Sequence, residues 1–398
     1  MKEHLLDANK LKLIITIVTT VFFFGGCYNE PTSQHNGEDG QTDSTAYRLY
    51  ATYYSSNYEN GVLIIDPLSL TVLDTIQLNI STYFIRISND SNYFYLGEIL
   101  DFSFNPPTIV TKVHKYNIET IEVIDTWDVP GDIIEMSSNE RYLFINSSIA
   151  VDTFWVYDTY NKEIIYKDST FRVWARAFDP DDSGFYVMYR HADSTYGTNG
   201  IFHFDPEVGQ IDRFYEIGTI HEQREIIPDD LVTTHDGSKL MFTYMTTDLF
   251  NDARLRVINT ETGEIETTIQ INGQAKLAIT NNDDYVYIAD SGLWELDVSP
   301  SGIICKYDVN NQTVEFLIDM KNFIDTPHFN IYPIANQPLL FSRDSLLALS
   351  SIYPNTDFDL MVWNLNNKTL IGTLQIDTTE VWTNIYTMIL KEISIHTQ

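Results

Sequence analysis

The 398-residue chain is short of cysteine and of positive charge. Cys27 and Cys305 are its two cysteines, so no disulfide framework is available and the fold must rest on its packed core. Only 24 Lys and Arg stand against 56 Asp and Glu, a net charge of −32. Phosphate recognition needs clustered cations, which excludes nucleic acid as a partner and leaves cations and cationic molecules open. The principal apolar run, residues 13–24, has 12 residues, too few to cross a bilayer as a helix. No segment holds a 3.6-residue apolar period over several turns, so helix is a minor component. Enzymatic signatures are missing as well: there is no G-x-S-x-G elbow, P-loop, G-x-G-x-x-G, C-x-x-C-H or H-x-x-H spacing.

What is present is aromatic and β-forming. The chain carries 25 Tyr, 22 Phe and 6 Trp, and with Ile, Val and Thr these favour half-buried pleated strands. At the N-terminus Lys2, Lys10 and Lys12 flank the short apolar run, the layout of a secretory signal core. The F-G-G-C that follows (24–27) resembles a bacterial lipoprotein signal, although Phe24 stands where Leu is usual. That resemblance implies cleavage before Cys27, lipidation of Cys27, and anchoring to a bacterial outer membrane on its periplasmic or outer side. Ordinary secretion with a coincidental Cys27 is the other reading. Residues 28–45 hold four acids and no Lys or Arg, and cannot build a core. The expected organisation is a signal peptide over 1–26, a lipidated cysteine with a flexible acidic tether over 27–45, and one folded body over 46–398. Cys305, inside an apolar strand, is expected to act as a small hydrophobe.

From residue 46 one pattern recurs, as it does in RVINTETGEIETTIQI (256–271). A β-rich run ends in Asp or Asn and turns into a second strand. The seven turn residues are Asp66, Asn117, Asp158, Asp205, Asn259, Asp308 and Asn364, spaced 51, 41, 47, 54, 49 and 56 apart. Asp and Asn suit that place because their side chains accept backbone N–H bonds two residues on. A second turn recurs in antiphase, at 88–95, 137–144, 179–186, 234–241, 280–287 and 342–349. Six against seven is explained if the body starts in a second strand, A-Y-R-L-Y-A-T-Y, and ends in a first strand, N-I-Y-T-M-I-L-K-E-I. Pairing these two strands would close a ring and hide both sheet edges.

The S-x-D-x-x-Y-x-Y turn and the V-I-D-T-x-T-G-x-x-x-x-T-I arrangement, best seen at 256–290 and 62–78, resemble the YVTN/YncE-like surface-layer propellers. The resemblance implies an all-β, seven-bladed β-propeller with four antiparallel strands per blade and about 50 residues per blade. It says little about activity. The turn 259–263 also resembles a quinone-enzyme blade corner, but Thr267 stands where that motif places Trp.

Both recurring turns fall on one face, which leaves function to the longer connections of the opposite face. These are 99–108, 191–199, 290–300 and 353–359, together with 217–230 and 319–333. Their aromatics, Phe102, Phe104, Tyr196, Trp294, Phe323 and Phe329, are candidates for a flat ligand such as a glycan or corrinoid, with Arg224 beside them. Inward folding to seal the loops is an equally weighted reading. His221, Glu222, Arg224 and Glu225 form the densest titratable group. With His191, Asp193 and His328 they are candidate ligands for a divalent cation, against a larger expectation of ordinary surface charge. No resident cofactor is expected. The leading reading is a non-enzymatic, lipid-anchored binding propeller, in its narrowest form capturing a nutrient for an outer-membrane transporter. A lactonase-like hydrolase with a loop-face metal, and a structural or adhesive surface protein, are the competing classes.

Overall fold

The computed structural model describes residues 44–55, 60–78, 81–104, 107–147, 153–191, 200–217, 226–246, 253–271, 275–290, 303–323, 338–341, 344–350, 360–374 and 383–395. They form seven four-stranded antiparallel sheets. Six sheets are consecutive in the chain: 81–130 (blade 2), 133–168 (blade 3), 171–216 (blade 4), 226–271 (blade 5), 275–319 (blade 6) and 339–374 (blade 7). Blade 1 combines 44–78 with the last strand, Thr383–Ile395. We call the strands of each blade a to d from the inside outward. The molecule is a seven-bladed β-propeller closed as the antiphase turns predict. Strand b of blade 1, Ser44–Ser55, pairs with Thr383–Ile395 from Ser44↔Ile395 to Ser55↔Thr383. Twelve residue pairs in that register join the two ends of the chain and leave no open edge in the ring.

The core is divided among the seven seams between blades. Each seam has its own cluster, because each blade presents one apolar face to either neighbour. Blades 1 and 2 share Tyr50, Val62, Ile85, Phe94 and Leu96, and blades 3 and 4 share Phe144, Phe154, Phe185, Phe202 and Phe204. Blades 6 and 7 meet around the fully buried Trp363. Along the c strands the alternation that periodicity predicts is filled in on both faces, as in Asn60–Asp66, buried at six of seven positions. The d strands are outer edges and stay mostly exposed, as Thr71–Leu78 does.

All seven c strands end on the Asp or Asn that the repeat singles out. In each case the side-chain Oδ1 accepts backbone N–H groups two or three residues on. Asp158 takes Tyr160 and Asn161 at 2.8 and 3.0 Å, and Asn259 takes Glu261 and Thr262 at 3.0 Å each. The residue four places after each of them has positive φ: Leu70, Ile121, Lys162, Gly209, Gly263, Gln312 and Lys368. At the a–b corners the positive-φ residues are Ser91, Glu140, Asp182, Gly237, Asp283 and Asp344. Thirteen of the fourteen described positive-φ residues therefore sit at corners of one face, and ten of them are not glycine.

Candidate functional site

Ten left-handed side chains carry a cost of about 1 kcal/mol each, so each position needs an offsetting contact. At the a–b corners that contact is a carboxylate placed on the backbone of the preceding blade. Asp182 Oδ1 and Oδ2 accept the N–H groups of Ser138 and Asn139, both at 2.6 Å. Asp283 takes those of His235 and Asp236 at 2.9 and 3.2 Å, Asp344 that of Asn281 at 3.1 Å, and Glu140 that of Asn89 at 3.0 Å. Hydrogen bonds to charged groups contribute roughly 1.5–3 kcal/mol, more than the strain. Two corners depart from this: blade 2 has Ser91, and blade 1 before it has no a–b corner to grip. Blade 5 has Gly237, and the corner it faces in blade 4 has Pro180, which has no N–H to give; a Cβ on Gly237 would sit 3.8 Å from Pro180 Cδ.

The c–d corners use the same backbone position to reach the outer strand of the preceding blade. Lys162 Nζ pairs with Asp125 at 3.0 Å and Lys368 Nζ with Glu315 at 2.8 Å. Thr267 Oγ1 donates to Gln312 Oε1 at 2.6 Å. Leu70 lies where a Cβ on Gly372 would be, 2.5 Å from its Cδ1. The corner face is thus occupied by contacts that hold the ring together.

Beneath it lies a set of groups that no motif announced. Five successive inner strands each contribute a charged side chain to this layer, of alternating sign: Arg86, Glu135, Arg176, Asp230 and Lys276. Arg176 Nε meets Glu135 Oε2 at 2.5 Å, and its guanidinium lies 5.4 Å from the ring centre of Phe144. Burial raises the Glu135 pKa, against the opposing pull of Arg176 and Arg86. Asp230, 1% exposed, accepts Leu231 N–H at 3.0 Å and, across the seam, Leu277 N–H at 2.8 Å. Burial pushes its pKa up to about 7 in spite of Lys276 and both N–H donors. The only sequence signal for these groups was a charge inside an otherwise apolar strand, as in F-I-R-I-S or A-K-L-A-I.

In blade 4, His203 bridges two carboxylates, Nδ1 to Asp212 at 2.6 Å and Nε2 to Asp179 at 2.7 Å. Burial opposes its charge, but the two acids prevail and its pKa is raised. Gly184 makes room for this ring, since a Cβ there would lie 2.3 Å from His203 Nε2. Among the described residues no group of three or more His, Cys, Asp or Glu is arranged to hold a metal ion. Cys305 is half-buried, and burial pushes its thiol up to about 11.

Most loop-face candidates lie outside the described residues: Tyr196, Trp294, Phe329, His221, Glu222, Arg224 and His328, together with Cys27. Three others are placed on strands. Phe102 and Phe104 belong to a b strand, Tyr93–Phe104, that pairs with Pro107–Asn117 as far as Phe104↔Pro107. Residues 99–104 are therefore strand, where an irregular loop was expected. His191 closes the b strand Phe185–His191, paired with Phe171. Phe323 follows a 3₁₀ turn, Met320–Asn322, is 41% exposed, and packs edge-on against Trp363 at 5.3 Å between ring centres.

No family model matches the chain, and no curated protein matches it. Solved structures do. A periplasmic gluconolactonase of Pseudomonas aeruginosa is similar over 89% of this chain and 100% of its own, at TM-score 0.59 and 13% identity. An oligogalacturonate lyase solved with manganese covers 82% and 84%, at TM-score 0.51 and 13% identity. Kuenenia stuttgartiensis hydrazine synthase covers 72% and 77%, at TM-score 0.51 and 14% identity. Three different chemistries on one architecture leave the likeness as one of fold, and by that fold the chain stands among the β-propellers.

Proposed function

We propose that this is a lipid-anchored cell-surface propeller of the YVTN/YncE-like type that binds a ligand through its long-loop face. The observation that carries this reading is the division of labour between the two faces. Corner residues from Glu140 to Asp344 are committed to neighbouring blades, and the connections that vary in length all open on the other face. A rigid ring with one committed face offers the other for recognition. The anchor is Cys27 and the membrane is a bacterial outer membrane. In its narrowest form the ligand is a corrinoid or a glycan held for an outer-membrane transporter, and the net charge of −32 speaks against nucleic acid. The test is a thermal-shift and calorimetric screen of corrinoids and oligosaccharides, repeated with 192–199 and 218–225 each replaced by short Gly-Ser links. Binding lost on replacement at unchanged melting temperature supports the reading; no binding by the native chain overturns its nutrient-capture form.

A second reading is a lactone hydrolase using a divalent cation on the His191, His221, Glu222 and His328 set. Its motive is the gluconolactonase that this chain matches over that protein's whole length. Hydrolysis of sugar lactones by the purified chain, abolished by chelator and restored by calcium or manganese, would promote it over simple binding.

A further inference from the structure

The outer strand of blade 4, Gln210–Glu216, is interrupted by a bulge. His203 lies opposite Arg213 and Phe204 opposite Ile211, so Asp212 is the extra residue, outside the pairing with strand c. Blades 1, 2, 3 and 7 have their bulge at the same place and fill it with an aliphatic side chain: Leu73, Ile124, Ile165 and Ile371. Blades 4 and 5 fill it with a carboxylate, and each ties that carboxylate back to its own blade with a basic side chain. Glu266 of blade 5 pairs with Lys239 and accepts the Nδ2–H of Asn259 at 3.1 Å. Asp212 of blade 4 has His203 Nδ1 at 2.6 Å. Histidine changes charge in the neutral range and lysine does not.

His203 can hold both of its acids only while charged. Its Nδ1 faces Asp212 and its Nε2 faces Asp179 at 2.7 Å, and a neutral imidazole has one N–H to give. Loss of the proton therefore sets a bare ring nitrogen against a carboxylate. Around the ring stand Asp181 on the a–b corner, Tyr186 on strand b at 4.9 Å between ring centres, and Arg213 opposite it on strand d. Across the seam this end of blade 4 meets Gly237 and Thr260, which carry no charge. Burial opposes the charged ring, but the two acids outweigh it and the pKa of His203 is raised. Of those acids Asp212 is the one that can turn to water, being 35% exposed against 10% for Asp179. Asp179 also accepts Ser183 Oγ–H at 3.0 Å.

What Asp212 steadies reaches the next blade. Arg213 and Tyr215, on the same strand, donate to Thr260 O at 2.9 and 3.0 Å. This is the seam where Gly237 stands in place of a gripping carboxylate. We propose that His203 is a proton-operated latch on the seam between blades 4 and 5. Charged, it fixes the Asp212 bulge and with it the strand that holds blade 5; neutral, it lets the bulge go. Because the folded value is raised, the latch is closed below the ordinary histidine range and opens as pH rises through that value.

Hydrogen exchange of the purified chain, read by mass spectrometry at about pH 6 and about pH 8.5 and corrected for the intrinsic rate, tests this. Protection of 210–216 is expected to fall about tenfold at the higher pH, through loss of one charge-assisted bond. The outer strand of blade 5, Ile265–Ile271, is the internal control. Tied by Lys239, it should change by less than about twofold. Asp212→Asn separates the latch from general loosening, because an amide accepts from the charged ring and, turned over, donates to the neutral one. In that variant the fall at 210–216 should shrink to under about twofold. An equal fall in both strands overturns the proposal, as does no fall at 210–216, or one that persists in Asp212→Asn. Nitrogen-15 resonances of the imidazole, assigned through His203→Gln, should show both ring N–H groups at about pH 6, and a neutral ring there also overturns it.

Discussion

At the inner corners the left-handed residue is Glu140, Asp182, Asp283 or Asp344, with Ser91 and Gly237 as the remaining two. At the outer corners it is Leu70, Ile121, Lys162, Gln312 or Lys368, with Gly209 and Gly263 completing the set. The backbone demand is the same in both places, and glycine would meet it without strain. The side chains differ because what they face differs. An inner corner looks onto the spare N–H groups of the preceding corner, which want an anion. An outer corner looks onto the side of the preceding d strand, where an acid, a threonine or a glycine decides whether Lys, Gln or Leu fits. Strain at a corner is thus retained wherever a neighbouring blade makes use of it.

Four changes would break or sharpen that contrast. The largest effect belongs to Asp182→Ala, which keeps the left-handed backbone and frees two gripped N–H groups; a loss of about 3 kcal/mol is expected by urea unfolding, with Asp182→Gly milder because the strain goes too. Next is the buried inner layer. The folded-state pKa of Asp230 is raised to about 7 from an ordinary 3.8. The folded protein therefore binds the proton more strongly, and Asp230's contribution is full below about pH 4 and lost as pH rises to about 7. His203, also raised, adds stability that is present below its ordinary range and is lost as pH rises through its folded value. Melting temperature should fall between pH 5 and pH 8, and Asp230→Asn should remove part of that fall.

A smaller effect tests Gly237, the inner corner that faces Pro180. Gly237→Asp alone should cost about 1 kcal/mol, having the strain and, with Pro180 opposite, only the Asp181 N–H left to grip. Combined with Pro180→Ala, which restores an N–H, it should show a favourable coupling of about 1 kcal/mol in a double-mutant cycle. The smallest belongs to the outer rim. Lys162 and Asp125 are each about half exposed, at 48% and 46%, so Lys162→Gly should change stability by under about 0.5 kcal/mol, the lost pair being offset by relieved strain. If it cost as much as Asp182→Ala, the distinction between the rims would be mistaken.

How much of this was legible differs by element. Asp66, Asn117 and their five counterparts could be read as turns because the chemistry that places them is local: an Oδ1 and two N–H groups within three residues. The six-against-seven count of corners gave the ring closure, for a missing turn is visible in one dimension. Phe102 and Phe104 were read as loop because hairpin length depends on whether Pro107 and Ile109 are there to pair with them. Neither the grip of Asp182 on blade 3 nor the pairing of Glu135 with Arg176 could be read, since their partners lie 43 or 44 and 41 residues away and have no motif of their own.

The sequence by itself therefore determined the strands, their corners, the number of blades and the way the ring shuts. All of these follow from the two-residue alternation of side chains and from hydrogen bonds closed within a turn. Only the tertiary structure decided which corner residues hold which neighbour, and what residues such as Asp182 and Lys162 gain from a left-handed backbone without being glycine. Those depend on one blade being laid against the next, and the distance between blades is a property of packing that no local pattern of residues records.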